Sequence, residues 1–271
     1  MSETRGKGLL PWAILGAAVA LYVGWALAPA SALYTRLLGP HRLVALASLL
    51  KLVYLLAGSA SAFRCRDRLE PGNPARPAWF FLSLGLLSTF VGQLCLAPFQ
   101  VVRNQTPFPS VADIFFVLAY PFIIAALLVL LNAYREAGLP IGSVGERAAI
   151  VTGVGVIAGL VVLPILRPVA LTGGPLLERI LTVAYPVLDL VLLVPLALLL
   201  RIALRLRGSH AGDVWVLLLG GFVVLCMADI FFAYFQSLGE EHLDPFVHAS
   251  FVLSYGLIAG GAHRQLQLLK T

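Results

Sequence analysis

Apolar residues run through this chain in eight long blocks, at about residues 11–30, 43–62, 78–98, 111–132, 147–166, 177–200, 213–236 and 246–263. A helix crossing a bilayer needs roughly 20 apolar residues, so each block has the length of a span. In lipid the backbone must satisfy its own polar groups, which makes such blocks helices, and the alternation of a transmembrane barrel is absent. Turn-forming residues fill the gaps: Gly39-Pro40, Pro71-Gly72-Asn73-Pro74, Asn104-Gln105-Thr106-Pro107, Gly138-Leu139-Pro140, Gly173-Gly174-Pro175 and Gly208-Ser209-His210. Every loop is short. The pattern predicts one polytopic membrane domain over residues 1–271, paired as about 11–62, 78–132, 147–200 and 213–263.

Composition agrees with this solvent. Of the residues 60% are hydrophobic and 12% charged, and mean hydropathy is +0.93, whereas a soluble domain carries about a quarter charged residues. The net charge of +6 does not point to nucleic acid, because its placement follows the membrane. Of the 19 Lys and Arg, the N-terminus and the loops sharing its side hold most, including Arg64, Arg66, Arg68 and Arg76. The opposite loops hold Arg36, Arg42, Arg103, Arg167 and Arg179, and Lys51 lies within the second span. Positive charge stays inside, so both termini are expected in the cytoplasm of a cell with this as an inner-membrane protein. Arg5 and Lys7, the first apolar run and Ala28-Pro29-Ala30-Ser31-Ala32 also have the form of a cleavable signal, which would leave seven spans; the length of the run favours a retained helix. The three cysteines give no disulfide framework, with Cys95 and Cys226 in spans and Cys65 in a loop.

Self-comparison reveals a repeat. Phe116-Val117-Leu118-Ala119-Tyr120-Pro121-Phe122-Ile123 aligns with Phe251-Val252-Leu253-Ser254-Tyr255-Gly256-Leu257-Ile258, and Ala184-Tyr185-Pro186 is a third copy. Seven residues before each tyrosine stand Asp113, Glu178 and His248, two helical turns away on the same face. The odd spans match too, Phe90-Val91-Gly92-Gln93-Leu94 against Cys226-Met227-Ala228-Asp229-Ile230. The predicted fold is an all-α integral membrane bundle of about eight helices built from parallel two-helix repeats. Gly153, Gly155 and Gly159 in the fifth span read as small-residue helix packing.

With this topology Asp113, Glu178 and His248 begin their spans at the non-cytoplasmic side, Asp229 and Gln93 share a level, and Asp189 lies deeper. Ionisable groups in spans cost roughly 2.5–3.5 kcal/mol each on insertion scales and normally face the bundle or a wet cavity. Two readings stay open. Asp113 after Pro109-Ser110 and Glu178 after Pro175 fit helix capping. Alternatively Asp113, Tyr120, Glu178, Tyr185, Asp189, Asp229, His248 and Tyr255 converge on a ligand pocket open to the outside. No catalytic, phosphate-binding or zinc motif occurs, so neither an enzyme activity, a metal nor a cofactor is assigned.

The strings Pro109-Ser110-Val111-Ala112-Asp113 with Tyr120-Pro121, then Tyr185-Pro186-Val187-Leu188-Asp189, then Ala228-Asp229 with Ala233-Tyr234 resemble a known arrangement. It is similar to the multi-span N-terminal membrane region of bacterial GGDEF and GGDEF–EAL proteins and some sensor histidine kinases. The resemblance covers roughly residues 80–265 and implies a sensory or anchoring input module. Those proteins often carry an acid where Gln93 stands here. No residues of the output domain are present, so cyclase activity does not carry over. The expectation is a stand-alone sensory-type module that binds a small ligand or partner. Its partners would be the lipid bilayer and either a cytoplasmic signalling protein or a second copy of the chain. A transporter of a small molecule, lipid or ion, and a scaffold without ligand, are the rival classes.

Overall fold

The computed structural model describes Gly16 and residues 39–103, 105–139, 142–171, 175–205, 210–238 and 244–270. The first predicted span, apart from Gly16, and the loop holding His242 lie outside the described residues. Among those described there are seven α-helices and no strand: α1 (Gly39–Arg68), α2 (Arg76–Pro98), α3 (Val111–Glu136), α4 (Val144–Leu171), α5 (Leu176–Arg205), α6 (His210–Leu238) and α7 (Asp244–Leu268). They correspond to the second through eighth predicted blocks. Five segments, Arg42–Arg68, Arg76–Arg103, Val111–Glu136, Leu176–Leu204 and Gly212–Phe235, are long and apolar enough to cross a membrane. The chain is a multi-pass α-helical membrane protein.

Helices overrun their apolar blocks. α1 continues through Arg64 to Arg68, where two basic residues occupy its last turn and complement the negative end of the helix dipole. Cys65, expected in a loop, is therefore helical and fully buried, its thiol 3.6 Å from the Ala262 carbonyl on α7. The apolar pattern ended too early to show this, because Cys65 faces a neighbouring helix while Arg64 and Arg66 flank it. At the start of α2, Pro77 sits in the first turn, where its missing N–H costs nothing. One turn of π-helix, Phe99–Arg103, follows α2 directly.

Packing order closes a ring. α1 packs on α2 and α7, α2 on α3, α3 on α5, α5 on α6, and α6 on α7. α4 lies outside this ring, against α5 and α6. Two close approaches set the hairpin spacing. A Cβ at Gly85 on α2 would stand 2.6 Å from Cγ1 of Ile123 on α3, and one at Gly221 on α6 the same distance from Cγ1 of Ile258 on α7. The glycines expected to pack do not. A Cβ at Gly153 or Gly155 would meet nothing within 4 Å, and at Gly159 only its own helix's Leu163. α4 is peripheral, and these three glycines face no neighbouring helix closely among the described residues.

One end of the ring is dry. Trp79 of α2 and Trp215 of α6 meet with ring centroids 6.1 Å apart, and Tyr134 of α3 contacts Trp215 edge-on at 5.7 Å. Leu82, Leu127, Leu130, Leu218 and Phe222 are buried around them. A clasp of two hydroxyls, Ser59 Oγ to the Ser83 carbonyl at 3.0 Å and Ser83 Oγ to the Ser59 carbonyl at 3.1 Å, joins α1 to α2.

Candidate ligand pocket

The opposite end of the same ring is hollow. A cavity of about 130 Å³ opens there, lined from all six ring helices and from residues 106–110 before α3. Its walls are mainly apolar, with Phe108, Phe116, Phe232 and Phe251 prominent, and polar groups project from among them. Mixed walls of this kind are typical of small-molecule sites.

The start of α3 supplies the first polar cluster. Ser110 caps the helix, its Oγ accepting from Ala112 N at 3.2 Å. Asp113 closes the capping box: its Oδ2 accepts from Ser110 N at 2.6 Å. The other oxygen, Oδ1, accepts from the Tyr185 hydroxyl of α5 at 2.7 Å. The capping reading of Asp113 therefore describes one of its two oxygens. Asp113 caps its own helix with one oxygen and ties α5 into the pocket wall with the other. Tyr185 is flanked by Phe108 at 6.4 Å and Tyr120 at 6.3 Å between ring centroids.

Deeper, two carboxylates meet one phenol. The Tyr120 hydroxyl lies 2.9 Å from Asp189 Oδ1 and 3.3 Å from Asp229 Oδ2. A phenol carries one hydrogen, so one donor serves two carboxyl groups. Asp189 is 1% exposed. Its Oδ2 has no hydrogen-bond partner among the described residues. Tyr255 of α7 lines the same cavity as Asp229.

Lys51 is the residue that sequence reasoning passed over. It is 3% exposed, lines the cavity from α1, and places Nζ 3.1 Å from His248 Nδ1 and 5.9 Å from the Phe251 ring centre. Its signal was visible in the chain: one Lys in an otherwise apolar span. Gln93 continues the polar lining, its Nε2 donating to Ser48 Oγ at 3.0 Å and to Gln100 Oε1 at 2.8 Å. The π-turn is what brings Gln100, itself almost fully buried, into this chain of bonds, and Gln100 Nε2 in turn reaches Thr106 Oγ1 at 3.3 Å.

Of the eight residues expected to converge, Asp113, Tyr120, Tyr185, Asp229, His248 and Tyr255 line the cavity. Asp189 joins them through Tyr120. Glu178 does not: it is half-exposed and absent from the lining, and Thr182 Oγ1 bonds its backbone carbonyl at 2.8 Å. Thr182, one turn further into α5, lines the cavity in its place. Among the described residues no three His, Cys, Asp or Glu side chains are grouped to hold a metal ion. No family model, curated protein or solved structure matches this chain.

Proposed function

We propose that this protein is a membrane input module that binds a small ligand in the pocket between α1, α2, α3, α5, α6 and α7. One observation carries the reading: the ring is filled at the Trp79–Trp215 end by aromatic and leucine side chains that leave a cavity of only about 20 Å³, and it is hollow at the Asp113 end. A blind pocket suits occupancy by a ligand better than conduction through the bundle. A scaffold would bury its polar groups against each other, and here Lys51 and Asp189 are buried without a partner of opposite charge among the described residues.

The proposed topology has eight spans, with both termini in the cytoplasm and the pocket opening to the other side, supported by the Lys and Arg distribution. Parallel two-helix repeats are supported by the alignment itself, which places Gly85 over Gly221 and Ile123 over Ile258. Both pairs touch in the same way. Trp79 and Trp215 are equivalent by that alignment, and their tilted ring contact supports an axis relating the hairpins that passes near them. The sensory role rests on the resemblance of residues 80–265 to membrane input regions. A cytoplasmic signalling protein or a second copy would receive the signal.

Thermal-shift screening of a small-molecule library on the full chain in nanodiscs tests the pocket. Hits should stabilise the wild type and lose their effect in Asp229→Asn or Lys51→Met. Labelling of Phe108→Cys in intact cells by a membrane-impermeant maleimide should succeed from outside. Hits that act equally on wild type and both variants would remove the pocket from the account.

A further inference from the structure

The pocket has two poles that do not meet. At one, Lys51 and His248 face each other from α1 and α7. At the other, Asp189 and Asp229 converge on Tyr120. Ion pairs elsewhere join Arg66 to Asp67 and Arg201 to Glu146, but none among the described residues joins Lys51 to an acid. The poles are held apart by the frame. His248 and Tyr255, which lines the same cavity as Asp229, are seven residues apart on α7, about 10.5 Å along its axis.

Each pole lacks what the other has. The acid pair has one hydroxyl hydrogen for two carboxyl groups, and Asp189 Oδ2 is buried without a hydrogen-bond partner among the described residues. The ammonium of Lys51 has three hydrogens and faces a ring nitrogen and an aromatic face. Buried charge without a counter-charge is costly, so each pole favours an occupant that brings the complement. Asp113 is excluded from this reckoning, because Ser110 N and Tyr185 already serve both its oxygens.

We propose that the ligand is zwitterionic: its ammonium donates to Asp229, which shares the Tyr120 hydroxyl with Asp189, and its carboxylate or phosphate accepts from Lys51 and His248. This rests on the pocket being a ligand site. The aromatic walls between the poles would cover the carbon chain joining the two groups.

The full chain in phosphatidylglycerol nanodiscs, titrated calorimetrically, tests this with 4-aminobutyrate, 6-aminohexanoate, butylamine and butyrate. The better-bound amino acid should exceed the amine and the acid by about tenfold or more, a difference of about 1.4 kcal/mol. Lys51→Met should reduce that amino acid to the affinity of the amine, Lys51→Arg should retain most of the preference, and Asp229→Asn should reduce it to the affinity of the acid. Adding phosphatidylethanolamine to the disc distinguishes sources. Competition with the amino acid makes the natural occupant a lipid headgroup, and unchanged binding makes it a soluble zwitterion. An amine that binds as well as the amino acid, with Lys51→Met leaving the ratio unchanged, overturns the proposal and leaves a cation pocket. If none of the four probes binds while library hits remain sensitive to Asp229→Asn, the zwitterion fails and the pocket survives. If neither probes nor library compounds bind, both fail.

Discussion

The two ends of the helix ring are built from the same helices and behave as opposites. α2 carries Trp79 and Leu82 at one end and Gln93 at the other; α6 carries Trp215 and Phe222 at one end and Asp229 at the other. At the tryptophan end, large rings and leucines leave only a cavity of about 20 Å³. At the Asp113 end the cavity is about 130 Å³, with polar groups set among mainly apolar walls. The lesson is a division of labour along each helix. One end fixes the geometry through close packing, and that rigidity lets the other tolerate polar groups that an isolated helix would not hold in lipid.

The sharpest way to break this comparison is at the dry end. Trp79→Ala removes a buried indole that packs at a tilt against Trp215. It should cost about 3–5 kcal/mol, read as a large fall in melting temperature in detergent or nanodiscs. Asp229→Asn at the wet end should leave the melting temperature within a few degrees of wild type. Equal losses at the two ends would end the contrast.

The hairpin contacts come next. Gly221→Ala should cost about 1–3 kcal/mol, because the new methyl meets Ile258 N at 2.9 Å and the Ser254 carbonyl at 3.0 Å, and backbone cannot move aside. Gly85→Ala should cost less, since its closest contact is the Ile123 side chain, which can shift. Chemical denaturation of the pair gives the order directly, and a reversed order refutes the backbone argument.

Tyr120→Phe should cost about 1–3 kcal/mol by leaving Asp189 and Asp229 without their shared donor. Combining it with Asp189→Asn should give a loss smaller than the sum of the single changes. Additive losses would mean that the hydroxyl does not couple the acids.

The smallest effect belongs to an exposed clamp. Ser143 N donates to Glu146 Oε2 at 2.7 Å, and Arg201 reaches Oε1 at 2.6 Å. The Ser143 backbone bond first, then Arg201, holds the Glu146 carboxyl below its ordinary value. A depressed carboxylate adds stability above its unfolded pKa and loses it as pH falls through the folded one. Glu146→Gln should therefore lower the melting temperature slightly at neutral pH and erase the difference from wild type in acid below about pH 4. A difference that persists in acid would show that the carboxylate is not the cause.

Helices were readable because apolar length alone demands them: α2, α3, α5 and α6 fall where the blocks fall. The Asp113–Tyr120 and Tyr185 stripe was readable from spacing. The pairing of Lys51 with His248 was not, since the two lie 197 residues apart and only ring closure brings them together. The failure of Glu178 has the opposite cause. Its two-turn spacing from Tyr185 put it on the right stripe, but near its helix end the side chain is part-exposed and Thr182 lies nearer the cavity. Spacing fixes a face, not a depth.

Ring closure also imposes a timetable on biogenesis. Lys51 and His248 are 197 residues apart, as are Cys65 and Ala262 across the same α1–α7 seam. At synthesis rates of about 5–20 residues per second, α1 waits on the order of 10–40 s for α7 to emerge. Through that interval it carries a lysine whose insertion at mid-span costs roughly 2.5–3.5 kcal/mol. Its first companion is α2, whose Ser83 follows Ser59 by only 24 residues and can hold α1 near the insertion site. A ribosome that stalls before α7 leaves the seam unclosed, with Lys51 facing lipid or an insertase. That exposed lysine is the mark by which membrane quality control could tell an unfinished chain from a finished one.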